Sequence, residues 1–460
     1  MKLIDIESPE AFLNRELSWL QFARRVLAMI ESKDTPLLER IKFCGIMGML
    51  HDEFFMKRIG GLKKQINKNV VKVSPDGMTP IEELMACREE ILNQLTTIER
   101  CLAEEIRPAL ADAGIPLLDY DQVSPEHAQY LTEYFTTAIQ PIITPLAVDV
   151  AHPFPMISNL GLNLAVRVKE EKKGRWRIIR IKVPNNRPRW VKLPDDAGYV
   201  PLEQVIAANL NLFFEEARGI RPYFFRVTRG AESDRADVVD LGDPESYIAP
   251  ASIIGQVSSE LKARRFAGVV RLQVDSSMPE KIQNWLADQL KIATEDIYVT
   301  DGLLGLRDLS DFKVGGHEEL RDEPYTPVTH PRLAKLDQGN PVAIFDEIRR
   351  GDILLHHPYH SFDTSVLRFI RSAAVDNDVL AIKLTIYRTS SDSPIIQALA
   401  EAARRGKQVA VLVEITARFD EAPNIAWGNL LEKEGVHVAY GIEHLKTHVK
   451  LALVVREEGD

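Results

Sequence analysis

Between Val379 and Leu453, short β-branched runs alternate with helical patterns that close on glycine, and this stretch constrains the fold more tightly than any other. Val379 to Ile386 is an apolar run of strand length. Ser393 and Pro394 then supply an N-cap and a first-turn proline for IIQALAEAARR, which stops at Gly406. Gln408 to Ile415 reads as the next strand, Ala422 to Glu434 as a helix closed by Gly435, VHVAY as a third strand and HVKLALVV as a fourth. Such alternation is the signature of a parallel α/β sheet, whose strands all end at one edge. Residues just past those ends converge on a single crevice. The first strand delivers Tyr387, Arg388 and Thr389 there, and the second delivers Ala417, Arg418, Phe419 and Asp420.

The fourth run is introduced by Lys446, Thr447, His448, Val449 and Lys450. Residues two apart on a strand face the same side, so His448 and Lys450 set an imidazole beside an ammonium. Neutral imidazole can attack phosphorus while lysine and arginine neutralise the charge spreading over the equatorial oxygens, so the pair suits phosphoryl transfer. A bare H-x-K also occurs at strand edges where the histidine and a solvated lysine do no chemistry. Arg388, Arg418 and His448 follow one another at equal steps of thirty residues. Two arginines leaving neighbouring strands at the same edge point to an anion site; their alternative is salt bridging to nearby carboxylates such as Asp420 and Glu421.

YRT at 387–389, VEITARFDEAPNIAW at 413–427 and KTHVKL at 446–451 resemble the matching segments of the polyphosphate kinase family. These are bacterial enzymes with phospholipase D-like catalytic domains that move the terminal phosphate of ATP onto polyphosphate. FLNRELSWLQFARRVL, HDEFFMKRIGGLK, ITPLAVDVAHPFPMISNLGLNLAV, FFRVTRGAES, VRLQVDSSMP and YVTDGLLGLRDL are similar to further segments of the family, in its order. The resemblance therefore extends over essentially the whole chain. It implies that His448 is the nucleophile that becomes phosphohistidine, that Lys450 helps hold the transferred group, and that Arg388 and Arg418 lie at the phosphate and magnesium (Mg) site. A guanidinium has no lone pair for a cation that takes oxygen ligands, so both arginines are expected to clamp the phosphates that carry the metal. The family has an asparagine before its L-D-E-F segment, in contact with the nucleotide. Leu50 stands at that ATP-binding position, and Ala23 stands where another asparagine is expected. Leucine neither donates nor accepts a hydrogen bond, so either the nucleotide is held differently or the chain is a divergent member with altered nucleotide preference or activity.

At 460 residues, 45% hydrophobic and 27% charged, the composition is that of a multidomain globular protein. A formal net charge of −10 argues against a general affinity for nucleic acid or an anionic membrane. ATP, ADP and polyphosphate are polyanions too, and would need basic residues gathered locally, as Arg388, Arg418, Lys446 and Lys450 would be. Cys87 and Cys101 fall on one predicted helix about 21 Å apart along its axis, beyond disulfide reach. There is no basic-then-apolar leader and no apolar run near ~20 residues, so an integral membrane protein is not expected and a cytoplasmic location is the default.

Three domains are expected. Residues 1–110 read as an all-α bundle, with Leu13, Leu17, Leu20, Leu27 and Ile30 in one stripe. Thr79-Pro80-Ile81-Glu82 is a capping box opening a helix with Ile81, Leu84, Met85, Ile91, Leu92, Leu95, Ile98 and Leu102 on one face. His51, beside Asp52 and Glu53, reads as a surface or capping residue. Residues 111–325 read as an α+β domain in which LNLAVRV and WRIIRIKVP are strands joined by a charged turn, KEEKKGRW. Arg226, Arg229 and Arg271 either line a polyphosphate channel or are ordinary exposed strand arginines. By resemblance, the first of these domains contributes to ATP binding and to dimer contacts, and the second to dimerisation and to lining the polyphosphate channel, in a homo-oligomer that is a dimer or tetramer. Residues 326–460 read as the first half of an α/β phospholipase D-like domain. Its His356 and His357 point oppositely in a strand, Pro358 bends the chain before His360, and nothing completes a tetrahedral set, so zinc is not expected. Ser361 is placed as the N-cap of the following helix, a ready anion site.

Polyphosphate kinases continue with a second H-x-K half, so the catalytic domain is expected to be incomplete and C-terminally shortened, with the nucleophile but no general acid. Two function classes follow. One is a polyphosphate kinase that reversibly transfers the ATP γ-phosphate to polyphosphate. The other is a non-catalytic polyanion-binding or oligomerisation fragment lacking the second half of the active site. Leu50 and Ala23 favour the second; Arg388, Arg418 and His448 favour the first.

Overall fold

The computed structural model describes residues 5–70, 73–148, 154–170, 176–214, 217–231, 267–337, 339–388, 393–415, 421–441 and 445–458. They fall into two compact units, a larger one up to Glu323 and a smaller one from Pro324.

The larger unit opens with α1 (Arg15–Glu31), α2 (Leu37–Phe54), α3 (Gly60–Asn67) and α4 (Pro80–Arg100). Asn14 caps α1 by accepting the amides of Glu16 and Leu17, each at 2.9 Å. Thr79 and Glu82 form the capping box on α4. The buried face of α1 is Leu20, Ala23, Leu27 and Ile30, whereas Leu13 precedes the helix and is exposed. On α4 the buried face runs through Cys87, Ile91, Leu95 and Ile98, and Ile81 and Met85, expected in it, are exposed. Among the described residues α1, α3 and the strand Ile297–Thr300 pack on α4 and leave Ile81 and Met85 exposed, so the apolar stripe is wider than the face that packs. Gly45 and Gly48 let residues 306–311 lie directly against α2, because a Cβ at Gly48 would meet the Arg307 backbone.

The sheet of this unit comprises β1 (Leu146–Val148), β2 (Leu162–Glu170), β3 (Trp176–Lys182), β6 (Ala217–Arg229), β7 (Val269–Asp275) and β8 (Ile297–Thr300), in the order β1-β3-β2-β6-β7-β8. The strands β4 (Trp190–Lys192) and β5 (Tyr199–Pro201) form a separate pair. A further helix, α5 (Glu280–Leu290), joins β7 to β8. The charged turn expected between β2 and β3 falls largely on 171–175, outside the described residues, as does Pro153.

Alternation along β6 and β7 sends Phe225, Val227, Leu272 and Val274 into an apolar cluster. The opposite face carries Arg226, Thr228, Arg271 and Gln273, paired across the strands as Arg226 with Gln273 and Thr228 with Arg271. Neither arginine is an exposed strand residue, as one expectation held, for both are buried against Asp52 of α2. Arg226 makes a bidentate pair with Asp52 at 2.8 and 2.5 Å, Arg271 donates to the same carboxylate, and the Arg271 guanidinium lies 4.1 Å from the Phe55 ring centroid. Burial raises the Asp52 carboxyl, and the guanidiniums of Arg226, Arg271 and, at 4.0 Å, Arg307 more than reverse this, leaving it below the usual carboxylate range. The Arg271 guanidinium is pushed down to about 10 by burial.

His51 corrects a second expectation, since it is not a surface residue but 1% exposed. Its Nε2 lies 3.0 Å from Gln94 Oε1, and Gln94 Nε2 donates to the Leu20 carbonyl, so Nε2 carries the proton of a neutral ring. Burial pushes its pKa down to about 4, with the Gln94 hydrogen bond opposing the shift.

In the smaller unit β9 (Val379–Ile386), β10 (Gln408–Val413), β11 (His437–Tyr440) and β12 (Ala452–Arg456) form a sheet ordered β11-β10-β9-β12. The helices α6 (Arg368–Val375), α7 (Pro394–Arg404) and α8 (Glu421–Lys433) complete it. Ile370, Ala373, Ile396, Leu399 and Ala402 pack on Ile382, Val409, Val411 and Val413 in one core. The glycine stops work as their positions require. Gly406 (φ 82°) and Gly435 (φ 83°) adopt the left-handed conformation, and Lys407 and Val436 donate back to the carbonyls of Ala402 and Leu431, closing α7 and α8 with Schellman turns. The fourth strand departs from the all-parallel expectation. It runs antiparallel to β9 and begins at Ala452, after the H-x-K segment. Among the described residues no helix is long and apolar enough to cross a membrane.

The unfolded histidine binds a proton below about 6.5 that folded His51 refuses until about 4, so stability is full above that window and is lost as pH falls through it. The unfolding free energy of this unit is expected to drop by about 3 kcal/mol across the window, and His51→Gln to remove that slope. Urea unfolding followed by a fluorophore on this unit measures it; a slope unchanged in the variant would contradict the assignment.

Candidate functional site

Strands β9, β10 and β11 are parallel and end at one edge, and the chain enters β12 from that edge. Thr385 guides the entry: its Oγ1 donates to the Val449 carbonyl at 2.7 Å and accepts the Leu451 amide at 2.9 Å. His448 is thereby set beside Tyr387, just past the end of β9. The two rings meet edge to face, with centroids 4.7 Å apart and planes at 82°.

Around the same ring gather the cations. Lys450 Nζ lies 4.6 Å from the Tyr387 centroid, Arg388 Cζ 5.5 Å and Lys446 Nζ 5.6 Å, all within cation–π range. His448, Lys450, Lys446 and Arg388 are exposed, whereas Tyr387 is half-buried. Lys450 Nζ also donates to the His448 carbonyl at 2.6 Å. The imidazole and the ammonium thus share a neighbourhood as expected, through a common aromatic platform and not through the pleat of a strand.

Two buried residues that the sequence did not single out fix this edge. Glu414, 1% exposed just past β10, accepts the Thr447 amide through Oε2 at 2.6 Å, while its own amide donates to the Ile386 carbonyl. Asn424 in α8, fully buried, donates through Nδ2 to the carbonyls of Tyr387 at 2.8 Å and Glu414 at 2.9 Å. Both lie inside the VEITARFDEAPNIAW segment. The signal available was that polar residues occupied a stretch between strand and helix where backbone groups need partners.

Arg418, the second expected phosphate clamp, lies outside the described residues, as do Thr389, Ala417, Phe419 and Asp420. Leu50, at the expected ATP position, belongs to the larger unit, where it packs half-buried against the helical core, and Ala23 is fully buried in that core. The three histidines near Pro358 are engaged locally: His360 Nδ1 accepts the His356 amide and His357 Nδ1 lies 2.9 Å from the His360 carbonyl. Ser361 Oγ accepts the Thr364 amide at 3.3 Å, ahead of a wide helical turn, Asp363–Leu367.

Comparison with known sequences matches residues 12–118 to the polyphosphate kinase N-terminal domain, 126–312 to the middle domain and 343–460 to C-terminal domain 1. The chain belongs to the polyphosphate kinase family. The polyphosphate kinase of Thermosynechococcus vestitus is 42% identical over 99% of this chain and 65% of its own length, and that of a Synechocystis strain is 44% identical over 99% and 64%. The crystal structure of polyphosphate kinase from Porphyromonas gingivalis superposes with a TM-score of 0.78 at 27% identity, over 98% of this chain and 62% of that one. The chain therefore spans a little under two thirds of these polyphosphate kinases. Its multidomain combination of helices and mixed sheets is the fold of that crystal structure.

Asn424 joins the ends of β9 and β10, so Asn424→Ala removes both of these hydrogen bonds and is expected to cost about 1–3 kcal/mol. Asn424→Asp, which has no N–H to donate, should not recover it. Thermal unfolding of both variants measures this; a melting temperature equal to that of the unsubstituted chain would contradict the role.

Proposed function

We propose that this chain carries the nucleophilic half of a polyphosphate kinase centre, transferring the γ-phosphate of ATP reversibly to polyphosphate through a phosphohistidine at His448. The observation that carries this is the Tyr387 ring, which an accessible imidazole and three cationic side chains all approach to within about 6 Å of its centroid. A ring nitrogen lone pair of His448 attacks the γ-phosphorus, the bond to the bridging oxygen breaks, and ADP leaves with the electron pair. A terminal polyphosphate oxygen then attacks the same phosphorus, the phosphorus–nitrogen bond breaks, and the chain is longer by one phosphate. Arg388 and Lys450 neutralise charge on the equatorial oxygens in both steps, with Arg418 as the second clamp.

The α/β unit from 326 onward is, in this proposal, the first half of a phospholipase D-like domain, following a helical domain over 1–110 and an α+β domain over 111–325. Magnesium does not fit as a metal held by this chain's own cage. Among the described residues no group of three His, Cys, Asp or Glu side chains gathers to hold one, and an arginine offers no lone pair. The metal would arrive on the phosphates of the nucleotide, and no step here depends on it. A cytoplasmic homo-oligomer acting on ATP, ADP and polyphosphate completes the proposal.

Incubation with γ-labelled ATP and magnesium is expected to leave acid-labile, base-stable label on the chain, absent in His448→Ala and slowed about 10²-fold or more in Arg388→Ala. Both side chains are exposed, so the folds should be unchanged. Label at the unsubstituted level in His448→Ala would remove that residue from the mechanism.

A further inference from the structure

Residues 446–451, which carry His448, belong to no helix and no strand, since β12 begins only at Ala452. Backbone of that kind is the most mobile part of a fold unless something ties it down. Here it is tied on both sides of His448. Glu414 Oε2 accepts the Thr447 amide at 2.6 Å, one residue before the histidine. Thr385 Oγ1 donates to the Val449 carbonyl at 2.7 Å, one residue after it, and accepts the Leu451 amide at 2.9 Å.

Neither tie is of the kind a β-ladder supplies, in which backbone bonds to backbone at a register fixed by the strands. Each comes from a side chain, so the length of that side chain sets how far the H-x-K backbone stands from the strand ends. Thr385 is the next-to-last residue of β9, and Glu414 directly follows β10, with its own amide on the Ile386 carbonyl. Both anchors thus belong to neighbouring parallel strands of the core. Glu414 is only 1% exposed, where a carboxylate is costly unless hydrogen-bonded, and the Thr447 amide is one group that meets this need.

We propose that Thr385 and Glu414 are positioning residues for phosphoryl transfer, a two-point clamp that holds the His448 ring at the distance and angle from which it attacks phosphorus. The proposal rests on the phosphohistidine reading above and adds the side chains, outside the cationic cluster, that set the rate of that step. Attack needs near contact and alignment, and a displacement of about 1 Å is enough to slow it about 10²-fold. The edge-to-face contact with Tyr387 orients the ring once the backbone is placed, but does not place the backbone. Lys450 Nζ also reaches the His448 carbonyl, at 2.6 Å, yet this exposed lysine is needed at the phosphate and is no part of the clamp.

The test pairs Thr385→Val, which keeps the β-branched shape and removes both Oγ1 bonds, with Thr385→Ser, which keeps them. Uptake of label from γ-labelled ATP and magnesium is expected to slow about 10²-fold in Thr385→Val at saturating ATP, with the ATP concentration for half-maximal rate unchanged, and to recover most of the way in Thr385→Ser. Glu414→Ala should slow uptake less in the Thr385→Val background than alone, because a clamp open at one end has little left to lose. A second measurement needs no activity. The ring protons of His448, identified by their absence in His448→Ala, are expected to be shifted by the Tyr387 ring current, and this shift should shrink in Thr385→Val and persist in Thr385→Ser. Melting temperature checks that each variant is folded. An unchanged ring shift in folded Thr385→Val overturns the proposal, as does Thr385→Ser behaving like Thr385→Val. If the unsubstituted chain takes up no label, the function proposed above fails, and the ring shift then decides for or against the clamp.

Discussion

The antiparallel return of β12 along β9 is the constraint on which the smaller unit's site depends. The H-x-K segment precedes its strand, so a fourth parallel strand would carry His448 to the edge opposite the one where Tyr387 and Arg388 emerge. Reversal of that strand places the approach to β12 at the same edge. Thr385 then extends the pairing to Val449, Glu414 holds the Thr447 amide, and Asn424 ties the two central strands behind them. The exposed groups that meet Tyr387 are thus mounted on a buried, hydrogen-bonded frame, which keeps the imidazole and the cations in place without ordering them individually.

In the larger unit the corresponding constraint is a single carboxylate. Asp52 accepts from two buried arginines that occupy the polar face of β6 and β7, and so joins α2 to the sheet. Burial lowers the Arg271 pKa despite its Asp52 partner, and the like charge of Arg226 on the same carboxylate adds to the shift. His51, one residue earlier, is kept neutral in the same interior. Leu50 and Ala23, apolar at positions where the family resemblance leads one to expect asparagine, contribute packing to the adjoining helical core.

What was legible in the sequence was local. Strand runs, the capping box at Thr79 and the glycine stops at Gly406 and Gly435 each depend on residues within a turn of one another, and each appears as expected. The emergence of Tyr387 and Arg388 past the end of a parallel strand was also legible, whereas the arrival of His448 and Lys450 beside them was not, because it depends on the direction of β12. The direction of β12 was not, since an apolar run of that length pairs either way. Arg226 and Arg271 could not be assigned, because their partner, Asp52, lies 174 and 219 residues away. The burial of His51 depends likewise on Gln94 from another helix. Ile81 and Met85 were misplaced because helical periodicity marks a stripe without saying how much of it a neighbour covers.

Everything proposed for the smaller unit rests on phosphate passing through the imidazole beside Tyr387. Phosphorus NMR of the chain mixed with ATP and magnesium, with the ring protons of His448 correlated to any new signal, addresses this most directly. The expected result is a phosphoramidate resonance coupled to that ring, which is consumed when polyphosphate is added. Polyphosphate growing while no phosphoramidate forms, or the same resonance persisting in His448→Ala, would contradict it.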